Sequence, residues 1–127
     1  MTISPRTEVI ATDIVDAAYL VHSTLGPGLL ESVYEESLAY EFSERGLAFK
    51  RQHVLPIRYK DHQIEPGLRL DFLVEDCVLL EIKAVETLAK VHTAQLLTYL
   101  KLSGVRLGSL VNFNVALIKS GICRYVL

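Results

Sequence analysis

Two acidic residues stand inside otherwise apolar stretches: Asp71 in Leu70-Asp71-Phe72-Leu73-Val74, and Glu81 in Val78-Leu79-Leu80-Glu81-Ile82-Lys83. A carboxylate in a buried strand must be paired or bound to a cation, because moving it alone out of water is prohibitive. Side chains alternate along a strand, so Glu81 and Lys83 emerge on one face about 6.5–7 Å apart. If the Asp71 strand pairs beside them, two carboxylates and a lysine converge. Such a set suits phosphodiester hydrolysis. Asp71 and Glu81 can hold Mg²⁺, a hard cation served by oxygen ligands, and the backbone carbonyl of Ile82 can supply another oxygen. The ion polarises the phosphate and lowers the pKa of bound water, while Lys83 orients that water or offsets charge on the phosphorane.

A Glu-x-Lys triplet alone is weak evidence, since an exposed ion pair at a strand end has the same sequence. Three further features agree with it. In Gly28-Leu29-Leu30-Glu31-Ser32-Val33-Tyr34 a glycine opens a helix with Glu31 and Tyr34 three apart on one face. Gln95 and Tyr99 lie one turn apart in the helix after the Glu-x-Lys strand, and Asp71 lies in the strand before it. Glu35, one turn beyond Glu31, competes for the same role, and the motif favours Glu31. Tyr34 suits a core or hydrogen-bonding position. The histidines His22, His53, His62 and His92 show no paired ligand spacing; His92, just before Gln95, is the one placed to approach a phosphate. Lys50, Arg51, Arg58, Lys60 and Arg69 form the local positive patch, either a phosphate-contacting surface or an edge strand guarded by charge.

The elements that must position these residues follow from periodicity. Apolar positions at Ile10, Ile14, Ala17, Ala18, Val21 and Leu25 predict a helix over Glu8 to Leu25, stopped by Gly26-Pro27-Gly28. A second is predicted over Leu29 to about Arg45, with Leu30, Val33, Tyr34 and Leu38 as its stripe and Gly46 as its cap. Five glutamates there face one arginine. Leu47 to Tyr59 alternates as a strand, Lys60-Asp61-His62-Gln63 is a turn, and strands follow over Arg69 to Val74 and Cys77 to Lys83. The short Glu75-Asp76 connection implies antiparallel pairing. Leu88 to Ser103 returns to helical spacing through Leu88, Val91, Gln95, Leu96, Tyr99 and Leu102. Leu107 to Asn114 is a buried strand, and Ile122 to Leu127 a last short one. A helical crossover between the Cys77 and Leu107 strands suits a parallel connection. The fold class is α/β with a mixed sheet.

Composition limits the alternatives. The chain has 127 residues, 50% of them hydrophobic, with 13 Lys and Arg against 15 Asp and Glu. That is one domain's worth of sequence, able to bury a core without staples. The charge balance rules out a polycationic coat for nucleic acid and argues against disorder. Cys77 and Cys123 stand 46 positions apart without a CxxC, so a zinc ribbon, an iron–sulfur cluster and a disulfide scaffold are not expected. A reducing, cytoplasmic setting fits this cysteine usage. The N-terminus lacks the pattern of a secretory signal, and the longest stretch without Asp, Glu, Lys or Arg, Ala17 to Leu30, is too short to span a membrane. A mean hydropathy of +0.30 points to deeply buried elements or a subunit interface.

Taken jointly, Gly28-x-x-Glu31-x-x-Tyr34, Gly67-x-Arg69-x-Asp71, Glu81-Ile82-Lys83 and Gln95-x-x-x-Tyr99 resemble the GxxExxY proteins, a branch of the PD-(D/E)XK nuclease superfamily. The resemblance runs from Ile14 to the C-terminus. Leu68 stands where many relatives carry an aromatic. The resemblance implies a restriction-endonuclease-like core, a central mixed sheet flanked by helices, over 1–127 as one domain. It implies that Asp71, Glu81 and Lys83 are the catalytic core and that Glu31 is the acid a helix contributes to the metal site. Gln95 and Tyr99 match an element that contacts substrate or positions the reacting groups. The expected cofactor is Mg²⁺, with Mn²⁺ as the alternative, and the expected substrate is nucleic acid, DNA foremost. The competing expectation is a catalytically silent module that binds nucleic acid or a protein partner. With no recognition domain in the chain, target selection would fall to a homodimer or a partner.

Overall fold

The computed structural model describes residues 2–127. Helix α1 (Pro5–Leu25) starts where Ser4 accepts the Thr7 N–H and Pro5 takes the first helical position, both favoured there by unsatisfied N-terminal donors. Helix α2 (Glu31–Glu44) follows a loop in which Gly26 and Gly28 have φ of 74° and 94°. Strands β1 (Phe49–Tyr59), β2 (His62–Val74) and β3 (Val78–Lys83) come next, then helix α3 (Lys90–Ser103), strand β4 (Leu107–Asn112), a 3-10 helix (Ile118–Gly121) and strand β5 (Ile122–Val126). The five strands form one sheet in the order β1-β2-β3-β4-β5, antiparallel except for the parallel pair β3 and β4. Helix α3 makes the crossover that a parallel pair requires.

The centre of the sheet, β3 and β4 with the inner half of β2, is buried on both faces. Helices α1 and α2 cover one face through Ile14, Ala17, Tyr34, Leu38 and Phe42, packed on Phe72, Val74, Leu80, Ile82 and Val111. Helix α3 covers the other through Leu96 and Leu100, over Leu70, Leu73, Leu79 and Leu110. Its approach is close: a Cβ on Gly108 would lie 3.1 Å from both leucines, so this β4 position favours glycine. Aromatic pairs fix α2 against the sheet, with Phe42 edge-on to Phe72 at 5.2 Å and Tyr34 stacked on Phe113 at 4.5 Å. Each such pair is worth about 0.5–1.5 kcal/mol beyond its buried area.

Several sequence expectations shift. Strand β2 begins at His62, not Arg69, so β1 and β2 form a long hairpin whose outer half extends beyond the three pairs that β2 makes with β3. Pro66 and Gly67 did not suggest a strand, and they are tolerated, like Pro56 in the predicted first strand, because this ribbon lies outside the ladder with β3, with a register break between Leu55 and Ile57. The buried stripe of α2 is Tyr34, Leu38, Ala39 and Phe42, and Leu30 and Val33 are exposed. On α3, Val91 and Leu102 are likewise exposed, and Leu96 and Leu100 carry the contact. Leu25, at the end of α1, is exposed beside the glycine turn. Strand β4 ends at Asn112, two residues early; the Phe113 N–H still donates to the Lys83 carbonyl, and the Asn112 side chain bonds the loop peptides beyond. Its Oδ1 accepts from Val85 and Asn114 N–H, and its Nδ2 donates to the Val85 carbonyl. No helix among the described residues is long and apolar enough to cross a membrane.

Candidate active site

The alternation of faces along β2 breaks at Asp71. Leu68 and Leu70 pack with α3, whereas Phe72 and Val74, in the same odd–even phase, pack with α1 and α2. The pairing of β2 with β3 begins there too, running from Phe72↔Leu80 to Val74↔Val78. Where the next backbone pair would stand, side chains substitute. The Ile82 N–H donates to Asp71 Oδ2 at 2.8 Å, and the Asp71 N–H donates to Glu81 Oε1 at 3.3 Å. Each carboxylate thus satisfies a peptide of the other strand, which holds the two acids together at the fork. Because a strand residue turns its N–H and C=O to the same side, the Ile82 carbonyl also faces β2.

Glu81 is 4% exposed. Its carboxyl is pushed up to about 9 by burial and then by the neighbouring charge of Asp71, and Lys83 only partly offsets this. Glu31, the first residue of α2, faces the fork from the other layer. Partial desolvation and Asp71 raise its carboxyl above the ordinary value, against the lowering pull of Lys83 and of the Ala84 peptide. The start of α2 is set by Tyr34, whose hydroxyl donates to the Gly26 carbonyl at 2.6 Å and accepts from the Leu29 N–H at 3.2 Å. On α3, Gln95 Nε2 donates to the Tyr99 hydroxyl at 2.9 Å.

These side chains share one cleft of about 540 Å³. Glu31, Asp71, Glu81, Lys83, Gln95 and Tyr99 line it, and the hairpin supplies a wall from Val54 and Pro66 to Arg69. All six residues singled out by side chain in the sequence therefore meet. The acids fit a hard divalent cation, because closely set carboxylates at this depth are reconciled by positive charge. They do not enclose one: among the described residues no three His, Cys, Asp or Glu side chains form a closed ligand group.

A family model described as the PD-(D/E)XK nuclease superfamily matches residues 8–125. The chain belongs to that superfamily. No curated protein and no solved structure matches it. The five-stranded mixed sheet flanked by three helices is the restriction-endonuclease-like architecture of a PD-(D/E)XK protein.

Several residues around the cleft of this PD-(D/E)XK protein have other partners than their types suggested. Arg51 is bound to Glu35 at 2.9 Å and Glu36 at 2.6 Å, and Lys50 lies 3.3 Å from Asp76, so the positive patch shrinks to Arg58, Lys60 and Arg69. His92 turns its Nδ1 back to accept the Ala89 N–H at the start of α3. His22 is buried, its Nε2 2.7 Å from the Val115 carbonyl. Gln52 was missed: its Nε2 donates to Glu35 Oε1 and, at 3.4 Å, to Asp71 Oδ1. Its residue type gave no signal, and only its backbone conformation marks it.

Proposed function

We propose that this PD-(D/E)XK protein is a metal-dependent nuclease that hydrolyses phosphodiester bonds, with DNA as the foremost substrate, and that it sits within the GxxExxY branch. The observation that carries this reading is the cleft in which Glu31, Asp71, Glu81 and Lys83 face one another at the fork of β2 and β3. Asp71 and Glu81 would hold Mg²⁺, or Mn²⁺ in its place, and the Ile82 carbonyl and Glu31 of α2 would be the further oxygen ligands. The bound ion supplies electrostatic activation of the phosphate and of a water molecule. Lys83 stands on the same face of β3 as Glu81 and places a compact positive charge against the scissile phosphate and its attacking water. Gln95 and Tyr99, hydrogen-bonded to each other, form the α3 wall and orient the substrate backbone.

The hairpin supplies the approach. Arg6, Arg45, Lys50, Arg51 and Arg124 are ion-paired, whereas Arg58, Lys60 and Arg69 of the hairpin, like Lys83, Lys90, Lys101 and Lys119, have no acidic partner among the described residues. Arg69 lines the cleft and Arg58 and Lys60 lie further out on the same hairpin, an arrangement that suits a polyanion running along it. The test is incubation of the protein with single- and double-stranded DNA and RNA, with Mg²⁺ or Mn²⁺ and with chelator. Cleavage that requires the metal supports the proposal; binding without cleavage in any metal would favour the silent module instead.

A further inference from the structure

Gln52 has φ of 50°, in the left-handed region that asparagine and glycine enter far more readily than glutamine. It lies between the pairs Arg51↔Phe72 and His53↔Leu70, directly across from Asp71. The phase of β1 changes there: Phe49 packs with the α1–α2 core, whereas Leu55 and Ile57 pack with the α3 core. The turned backbone aims the carboxamide at two acids, Glu35 and Asp71. An NH₂ group has two donors, enough for one hydrogen bond to each. Glu35 is itself held by Arg51, so Gln52 is braced from α2. Asp71 is then fixed at both oxygens, by Gln52 at Oδ1 and by the Ile82 N–H at Oδ2. A lysine with the same reach would neutralise the carboxylate. A carboxamide orients it and leaves its charge for a cation.

We infer that Gln52, braced by Glu35, is a positioning residue that sets the orientation of Asp71 and through it the strength of divalent-metal binding. The inference rests on the metal-dependent reading above and adds a residue outside the carboxylate–lysine set. Partners that orient a metal ligand typically change affinity by about 10–100-fold when removed.

The experiment is calorimetric titration of Mg²⁺ and Mn²⁺ into the wild type, Gln52→Gly and Glu35→Ala, with thermal unfolding in chelator alongside. Glycine removes the carboxamide and suits the positive φ, so Gln52→Gly is expected to keep or raise the metal-free Tm while weakening metal binding at least about tenfold. A purely structural role would lower Tm and leave affinity in place. Glu35→Ala is expected to weaken binding less, and adding it to Gln52→Gly to cost little more, since both act through the same hydrogen bond to Asp71. Should Gln52→Gly fail to fold, Gln52→Asn carries the same measurement, because asparagine tolerates this φ and its amide is one methylene short of Asp71. Wild-type affinity in the folded Gln52 variant would overturn the inference alone. Absence of metal binding by the wild type would overturn the metal reading and this inference with it.

Discussion

Glu81 is where burial and function oppose each other. Its carboxyl is held at about 9, far above the ordinary carboxylate range, by desolvation first and by Asp71 second. Between about 4.5 and 9 the folded protein therefore binds more protons than the unfolded chain, and this residue's contribution to stability falls as pH rises through that window. In chelator, Glu81→Gln is expected to match the wild type near pH 5 and to exceed it at pH 8 by at least about 1 kcal/mol, or roughly 3–5 °C in Tm. Equal melting temperatures at pH 8 would show that folding does not hold this carboxyl protonated there. Asp71, Glu81 and Lys83 were legible in the sequence because charges inside apolar strands demand a partner. Gln52 was not, since nothing in a glutamine within a charged strand announces a left-handed backbone.

The elements hold the site by their ends. Helix α2 delivers Glu31 only because Tyr34 closes the glycine turn before it, bonding Gly26 and Leu29 while stacking on Phe113. Tyr34→Phe keeps the ring stack and leaves both backbone groups without that partner, which costs about 1–3 kcal/mol. The expected result is a lower Tm together with slower cleavage as Glu31 loses its place; an unchanged Tm would contradict this role. The β1–β2 hairpin is the second such element. Arg58→Ala combined with Arg69→Ala is expected to weaken DNA binding several-fold near 0.1 M salt. It should also flatten the dependence of log K on log salt by about 0.9 for each duplex phosphate that the variant no longer neutralises. An unchanged slope would remove the hairpin from the interface. The order of helices and strands was legible from periodicity, but the hairpin's length was not, because Pro66 and Gly67 signal a break wherever a strand is imagined in a full ladder. The buried faces of α2 and α3 were offset for a related reason. An apolar residue at helical spacing shows that a face exists, and the neighbouring layer decides which part of it is covered.

At the scale of the whole molecule, a formal charge of -2 gives little hint of a polyanionic substrate. The distribution is more telling. Lys50 and Arg51 at the hairpin's base are tied to acids while Arg58, Lys60 and Arg69 are not, and the acids of the cleft are held close together where a divalent cation would reverse the local sign. The apolar excess goes into two cores, one on each face of the sheet. What remains exposed includes Leu20, Leu25 and Tyr40, which flank a groove of about 400 Å³ between α1 and α2. The central claim is that this fork of two strands is a hydrolytic centre in which Lys83 takes part in the reaction. Its most direct test is single-turnover cleavage of labelled DNA in Mg²⁺ by the wild type and by Lys83→Ala, with binding measured in parallel. The expected result is metal-dependent cleavage by the wild type and a rate at least about 100-fold lower in the variant, in the range for removing one electrostatic interaction with the transition state, with DNA still bound. Equal cleavage by the two proteins would contradict the account.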